Sequence, residues 1–249
     1  MNNRKGILMR VGIDQTFGEY NAPVNPETND YIYMPIPQEG NTFTTGMEKT
    51  YNSLKPYFQS WCQNNGVNIP FPNHLIDNPK YIGCHLDPDF DYSTYGDQAT
   101  GRGLRVGDLK KGDFIAFFAS FKPIAQCEHK LIYALYGIMF VDRVERVADV
   151  PESEFHKNAH TRVVDKNMDH LVVFADPTLS GRFNRAIPIG EFRNGAYRVT
   201  NDILEAWGGL GVKDGFIQRS VCPPRFTRPA QFMDWLDSRQ VKLINSNWE

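Results

Sequence analysis

A chain of 249 residues with a formal net charge of −2 is long enough to bury a substantial core, and it has no overall charge that would draw it to nucleic acid or an anionic membrane. Its hydrophobic share of 41% and charged share of 22% are those of an ordinary globular protein, which excludes disorder away from the ends. Cys62, Cys84, Cys127 and Cys222 form no C-x-x-C pair or zinc-ligand spacing, the first apolar run is too short for a signal segment, and none approaches the ~20 residues of a membrane span. These features predict a cytoplasmic protein with buried free thiols.

Residues 6–13 predict a first strand, with Ile7, Met9 and Val11 on one face, Leu8, Arg10 and Gly12 on the other, and Asp14 directly after it. Arg10 and Asp14 read equally as a structural ion pair or as ligand-binding groups. Residues 15–30 read as a loop or hairpin connection, and residues 31–37, with two prolines, as an edge strand at best. Met47, Tyr51, Leu54, Phe58 and Trp61 recur at helical spacing and face a core, predicting a helix over 45–65 that stops at Gly66 and is kinked or divided at Pro56. Residues 66–80 return to loop.

The segment 81–120 concentrates the polar chemistry. His85, Asp87, Asp89 and Asp91 fall at alternate positions, ahead of a Gly- and aromatic-rich loop ending in Gln98, and Gly112-Asp113 then turns into a buried strand over 113–119. Residues 131–147 are the longest apolar run; their Tyr, Ile, Phe and Val favour a strand antiparallel to the previous one, with a bulge or bend at Gly137. Residues 150–169 are charged and helix-permissive. There His156 and His160 lack the glutamate of a zinc hydrolase and read as surface histidines.

A strand over 170–175 opens onto a second candidate site element, where Ser180, Gly181 and Arg182 offer a hydroxyl, amides and a guanidinium. Arg182, Arg185, Arg193, Arg198, Arg219, Arg225 and Arg228 form a C-terminal run, either a solvated surface with local acidic partners or a patch for phosphate or carboxylate. Asn201 is expected to cap a helix over 202–207 that stops at Gly208-Gly209, and Pro229 to open a helix burying Phe232, Trp235 and Leu236. With no repeat or linker, the chain reads as one α+β unit over 1–249.

His85-x-Asp87-x-Asp89-x-Asp91 allows three readings: ligands to an ion, a metal-free polar site with acid and base groups, or a structural turn. The calcium-loop template fails, since Tyr92 takes the place of the turn glycine and Gln98 the place of the glutamate. Gly101-Arg102-Gly103 is too weak for a phosphate loop, and no G-x-S-x-G, P-loop or Rossmann glycine pattern occurs in a strand-to-helix context. Serine hydrolases, P-loop NTPases and nicotinamide dehydrogenases are disfavoured.

The combination of R-V-G-I-D, A-P-V, P-I-P, H-L-D-P-D, G-D-F-I-A-F-F-A-S-F, L-I-Y-A-L-Y-G and F-A-D-P resembles the nucleotide modification associated domain 3 family, a DNA base-modification group of bacteria, archaea and phages. The resemblance is strongest over residues 7–190, and the family's Gly-Gln stands here as Gly96-Asp97-Gln98. It implies an association with modified nucleotides in DNA, in a hypermodified-DNA or phage-defence setting. Arg10, Asp14, His85, Asp87, Asp89 and Gln98 are the motif positions it carries over. The G-D-strand and the following strand ending in G-I-M-F-V-x-R-V are also similar to PUA-like modified-base readers such as EVE and ASCH domains. That similarity implies a mixed or antiparallel sheet, or a partly open barrel, with flanking helices around a nucleotide cleft.

Two functions are therefore expected as alternatives. One is a base- or nucleotide-modifying enzyme with His85, Asp87 and Asp89 as catalytic groups and Arg10, Asp14, Gln98, Ser120 and Arg182 as substrate-binding groups. The other is a non-catalytic module on which Tyr92, Tyr95 or Phe121 stacks a modified base. Both take a nucleotide or DNA as partner; cofactor, ion and oligomeric state are left open.

Overall fold

The computed structural model describes residues 4–101, 103–218 and 222–248; Arg102 and Arg219 lie outside the described residues. In chain order the elements are β1 (Gly6–Arg10), β2 (Pro23–Val24), β3 (Ile36–Glu39), α1 (Tyr51–Asn64), α2 (His74–Asp77), β4 (Tyr81–His85), β5 (Thr94–Asp97) and α3 (Gly103–Gly107). They continue with β6 (Phe114–Pro123), β7 (Ile132–Arg146), β8 (Leu171–Ala175), β9 (Gly181–Pro188), β10 (Gly190–Arg193), β11 (Ala196–Val199), α4 (Asn201–Ala206), α5 (Pro229–Ser238) and β12 (Leu243–Ile244).

The spine is the antiparallel pair β6–β7, which runs from Phe114 opposite Phe140 to Phe121 opposite Ile132. β1 lies parallel to β6, and β2 continues along the same edge. The far edge of β7 is shared: β9 pairs with its first half and β8 with its second, while β5 and β12 add to β8 and β9. The result is an α+β fold on an open, mixed eight-stranded sheet, not a closed barrel.

Both faces of this sheet are covered, which is why its strands are continuous apolar runs without alternating polar positions. Ile7, Met9, Ile115, Phe117, Ala134 and Tyr136 join one core with Leu54, Phe58 and Trp61 of α1. Leu8, Phe114, Ala116, Phe118, Tyr133 and Leu135 join the other with Trp207, Phe232 and Trp235 beneath α4 and α5. Gly137 does what its place in the run predicts: the register to β6 slips there, with Phe117 opposite Gly137 and Phe118 opposite Leu135. The slip reverses the phase of the strand. Before Gly137, Ala134 and Tyr136 face the first core; after it, Met139 and Val141 do.

Several expected boundaries move. α1 is one helix that starts at Tyr51, so Pro56 is its sixth residue and its missing N–H costs a single bond near the helix start. Its end follows expectation, with Gly66 at φ 64° and the Gly66 and Val67 amides donating to Gln63 and Cys62 carbonyls. The 66–80 stretch contains α2, and Thr200 is the N-cap of α4 with Asn201 as its first residue. Residues 150–169 form a 3-10 turn over Glu152–Lys157 and irregular chain instead of an α-helix. Cys62, Cys84 and Cys127 are free thiols, and among the described residues no helix is long and apolar enough to cross a membrane.

A Cβ at Gly137 would lie 2.7 Å from the Phe90 ring and 3.2 Å from the Gly181 carbonyl oxygen. Gly137→Val is therefore expected to cost about 1–3 kcal/mol through overpacking at the bulge. The check is the urea unfolding midpoint, which should fall clearly below that of the wild type.

Candidate functional site

His85 ends β4, opposite Ile36 of β3, and Leu86 after it is fully buried in the core. Anchoring Leu86 inward turns its neighbours His85 and Asp87 the other way, into a pocket of about 640 Å³. β5 crosses beneath them, and the Gly96 amide donates to Asp87 Oδ1 at 2.5 Å. The third member comes from the irregular chain after the 3-10 turn. The Asn158 side chain accepts from the His160 amide at 2.9 Å and donates to Asp87 Oδ1 at 3.3 Å, so one residue shapes the turn and joins it to the carboxylate.

His160 Nε2 lies 3.2 Å and His85 Nε2 3.7 Å from Asp87 Oδ2. One ligand atom each of His85, Asp87 and His160 falls within 4.8 Å of the others, so this trio can hold a metal ion. Each imidazole is braced on its other nitrogen. Gln38 Nε2 donates to the Glu39 carbonyl, which leaves Gln38 Oε1 to accept from His85 Nδ1 at 2.6 Å. His160 Nδ1 faces His170 Nδ1 at 2.7 Å, a distance at which one nitrogen donates and the other accepts. A Cβ at Gly96 would come within 2.2 Å of the His160 ring, so a glycine here is what lets the imidazole lie against β5.

The pocket is otherwise polar and acidic. Glu39, Asp97 and Asp165 join Asp87 in its lining together with Gln38, Asn41, Gln98 and Asn167, while the described lining residues include no lysine or arginine. Tyr95 donates to Asp97 Oδ2 at 2.7 Å in the wall, and Phe17, 53% exposed, lines the pocket too.

The residues singled out from sequence separate into three places. His85, Asp87 and Gln98 line this pocket, Gln98 as an exposed residue whose amide donates to Asp97. Asp89 does not line it: fully buried, it accepts from Arg162 and from Asn247 Nδ2 at 2.8 Å, while Asp91 accepts from the Asn247 amide. Arg10, Asp14 and Ser120 meet at the end of β1, where Arg10 donates to Asp14 at 2.8 Å, to Ser120 Oγ and to the Gln218 carbonyl, over the Tyr133 ring. Arg182 is on β9 and donates to the Ser246 carbonyl at 2.7 Å. Ser180 Oγ accepts from the Phe140 amide. Arg193, Arg198 and Arg225 form ion pairs with Asp214 or Asp108 at the surface.

His160 is the clearest departure from sequence expectation. It is not a surface histidine: its side chain is 11% exposed, and it shares no helical face with His156, which packs on Tyr92. Sequence reasoning also missed Gln38, Asn158, Arg162 and His170. The usable signal was histidine itself, since three of the chain's six meet here.

Burial and the neighbouring His160 lower the pKa of both His85 and His170, with Asp87 opposing this at His85. Burial raises the Asp87 carboxyl, but the facing His160 and His85 rings outweigh it and hold the group below its ordinary value. The two histidines therefore bind protons less readily folded than unfolded. Their contribution to stability is complete above the ordinary value of 6.5 and is lost as pH falls below it toward their folded values. The urea midpoint is expected to drop between about pH 7.5 and about pH 5.5, and to drop less in His85→Leu. Arg162→Leu leaves Asp89 buried and unpaired, and is expected to cost about 3–5 kcal/mol in the same assay.

The amino-acid sequence matches the nucleotide modification associated domain 3 family over residues 5–207. No curated protein and no solved structure gives a significant match. The matched span includes β1, the β6–β7 spine and His85, Asp87 and His160, and the chain belongs to the nucleotide modification associated domain 3 family.

Proposed function

We propose that the chain is an enzyme that modifies a DNA base or nucleotide, with its reacting centre at His85, Asp87 and His160. The observation that carries this reading is the convergence of two imidazole nitrogens on one carboxylate oxygen at the wall of the 640 Å³ pocket, each ring braced from behind. Family membership supports a role in nucleotide modification.

The lining argues for what enters. Glu39, Asp97 and Asp165 repel phosphate and accept hydrogen bonds, so the pocket suits a neutral base presenting amino or ring N–H donors. Phe17 offers an exposed aromatic face for stacking beside it. In this reading Asp89 acts from behind, holding the loop that presents Asp87, and Gln98 faces the bound base.

The same lining would serve a non-catalytic reader of a modified base, and one experiment separates the two. Nucleosides digested from DNA are compared by mass spectrometry between cells carrying the gene with its neighbours and cells carrying His85→Ala or His160→Ala. The variants are checked for folding by near-ultraviolet circular dichroism. Loss of a modified nucleoside by at least ~100-fold is expected for removal of a group that acts on the reacting atoms. An unchanged profile in both variants overturns the enzymatic reading, and preferential binding of modified DNA at matched salt then establishes the reader.

A further inference from the structure

The Asp87 side chain is 5% exposed, and the ion-pairing partners of this carboxylate among the described residues are His85 and His160. The described lining residues include no lysine or arginine to meet this carboxylate, which instead faces the Nε2 atoms of two imidazoles. That is the condition a metal ion satisfies.

We propose that His85 Nε2, Asp87 Oδ2 and His160 Nε2 bind one divalent first-row transition-metal ion, with Gln38 and His170 as positioning residues behind the two histidines. Placing the ion at the reacting centre rests on the functional reading above. The separations of 3.2 and 3.7 Å from Asp87 Oδ2 bracket the distance of about 3.4 Å between two ligands each about 2.1 Å from a tetrahedral ion.

The surrounding bonds select the donor atoms. Gln38 Oε1 holds the His85 proton on Nδ1 and leaves Nε2 bare. His170 can accept a proton from His160 Nδ1, which frees His160 Nε2 in the same way. Asp87 Oδ1 is taken by the Gly96 amide and the Asn158 side chain, which leaves Oδ2 for the ion. Two imidazoles and one carboxylate suit zinc or ferrous iron, whereas magnesium and calcium favour an all-oxygen shell. With three protein ligands, coordination positions stay open toward the pocket for water or substrate.

The test uses the full chain, stripped with a chelator, desalted and titrated with Co²⁺. Visible d–d absorption is expected to saturate at a single equivalent, to be displaced by Zn²⁺ and to be indifferent to Mg²⁺. His85→Ala and His160→Ala are expected to abolish the band, while Gln38→Leu and His170→Phe weaken Co²⁺ affinity by about 10–100-fold without loss of circular dichroism. His156→Ala, a histidine outside the trio, should titrate as the wild type does. Absence of a saturable band in the wild type overturns the proposal, and so does an unchanged band in folded His85→Ala or His160→Ala. A chain that saturates with Co²⁺ while the cellular nucleosides stay unaltered retains the ion and loses the enzymatic reading. Base modification by purified protein that survives exhaustive chelation retains the enzyme and loses the ion.

Discussion

Asp89 and Arg162 form an ion pair with side chains 0% and 1% exposed, and the two loops that build the site are fixed through it. Each partner lies two residues beyond a member of the trio: Asp89 beyond Asp87, Arg162 beyond His160. Two charges this deep attract strongly only because water is excluded, and either one alone would be costly to bury. The surroundings make the pairing specific. Asn247 donates to Asp89 and accepts from the Phe90 amide, Tyr33 donates to the Pro88 carbonyl, and Arg162 Nε donates to the His156 carbonyl. The positions of Asp87 and His160 are thus set largely by bonds made next to them, and Asp87 Oδ2 and His160 Nε2 are left to face the pocket.

This clamp rests on a stiff base. β7 carries neighbours on both edges and core on both faces, and Phe90, from the same loop as Asp89, packs against Tyr33, Phe117 and Tyr136. Its ring occupies the space that a side chain at position 137 would need. The bulge at Gly137 therefore has two effects: it reverses which residues face which core, and it makes room for the loop that presents the carboxylate.

What the sequence made legible follows from how locally each feature is encoded. β6, β7, β8, α1 and α5 declare themselves through apolar runs, helical spacing and a Gly or Pro at their ends, because burial of a face needs nothing beyond the segment itself. The segment holding His85 and Asp87 was visible as a concentration of polar residues. Its geometry was not, since alternate residues share a face only while the chain stays extended, and β4 ends at His85. Beyond that point Asp87 turns to the pocket, Asp89 to Arg162 and Asp91 to the C-terminal segment. His160 and Arg162 were illegible for a different reason: their partners are 73 residues away in sequence, and the charged, irregular chain around them has no periodicity to read. β9 to β12, short and partly exposed, carry the same weak local signal.

The absent side chain at Gly96 bears on how such chains are compared with one another. A relative could retain His85, Asp87, His160 and every bond behind them and still fail to assemble them, if position 96 carried so much as a methyl group against the imidazole. Motifs are read by the groups that do chemistry. Here a position with no group at all decides whether the others can meet, so a search keyed to the polar residues alone would include chains in which the histidine has been pushed off the strand.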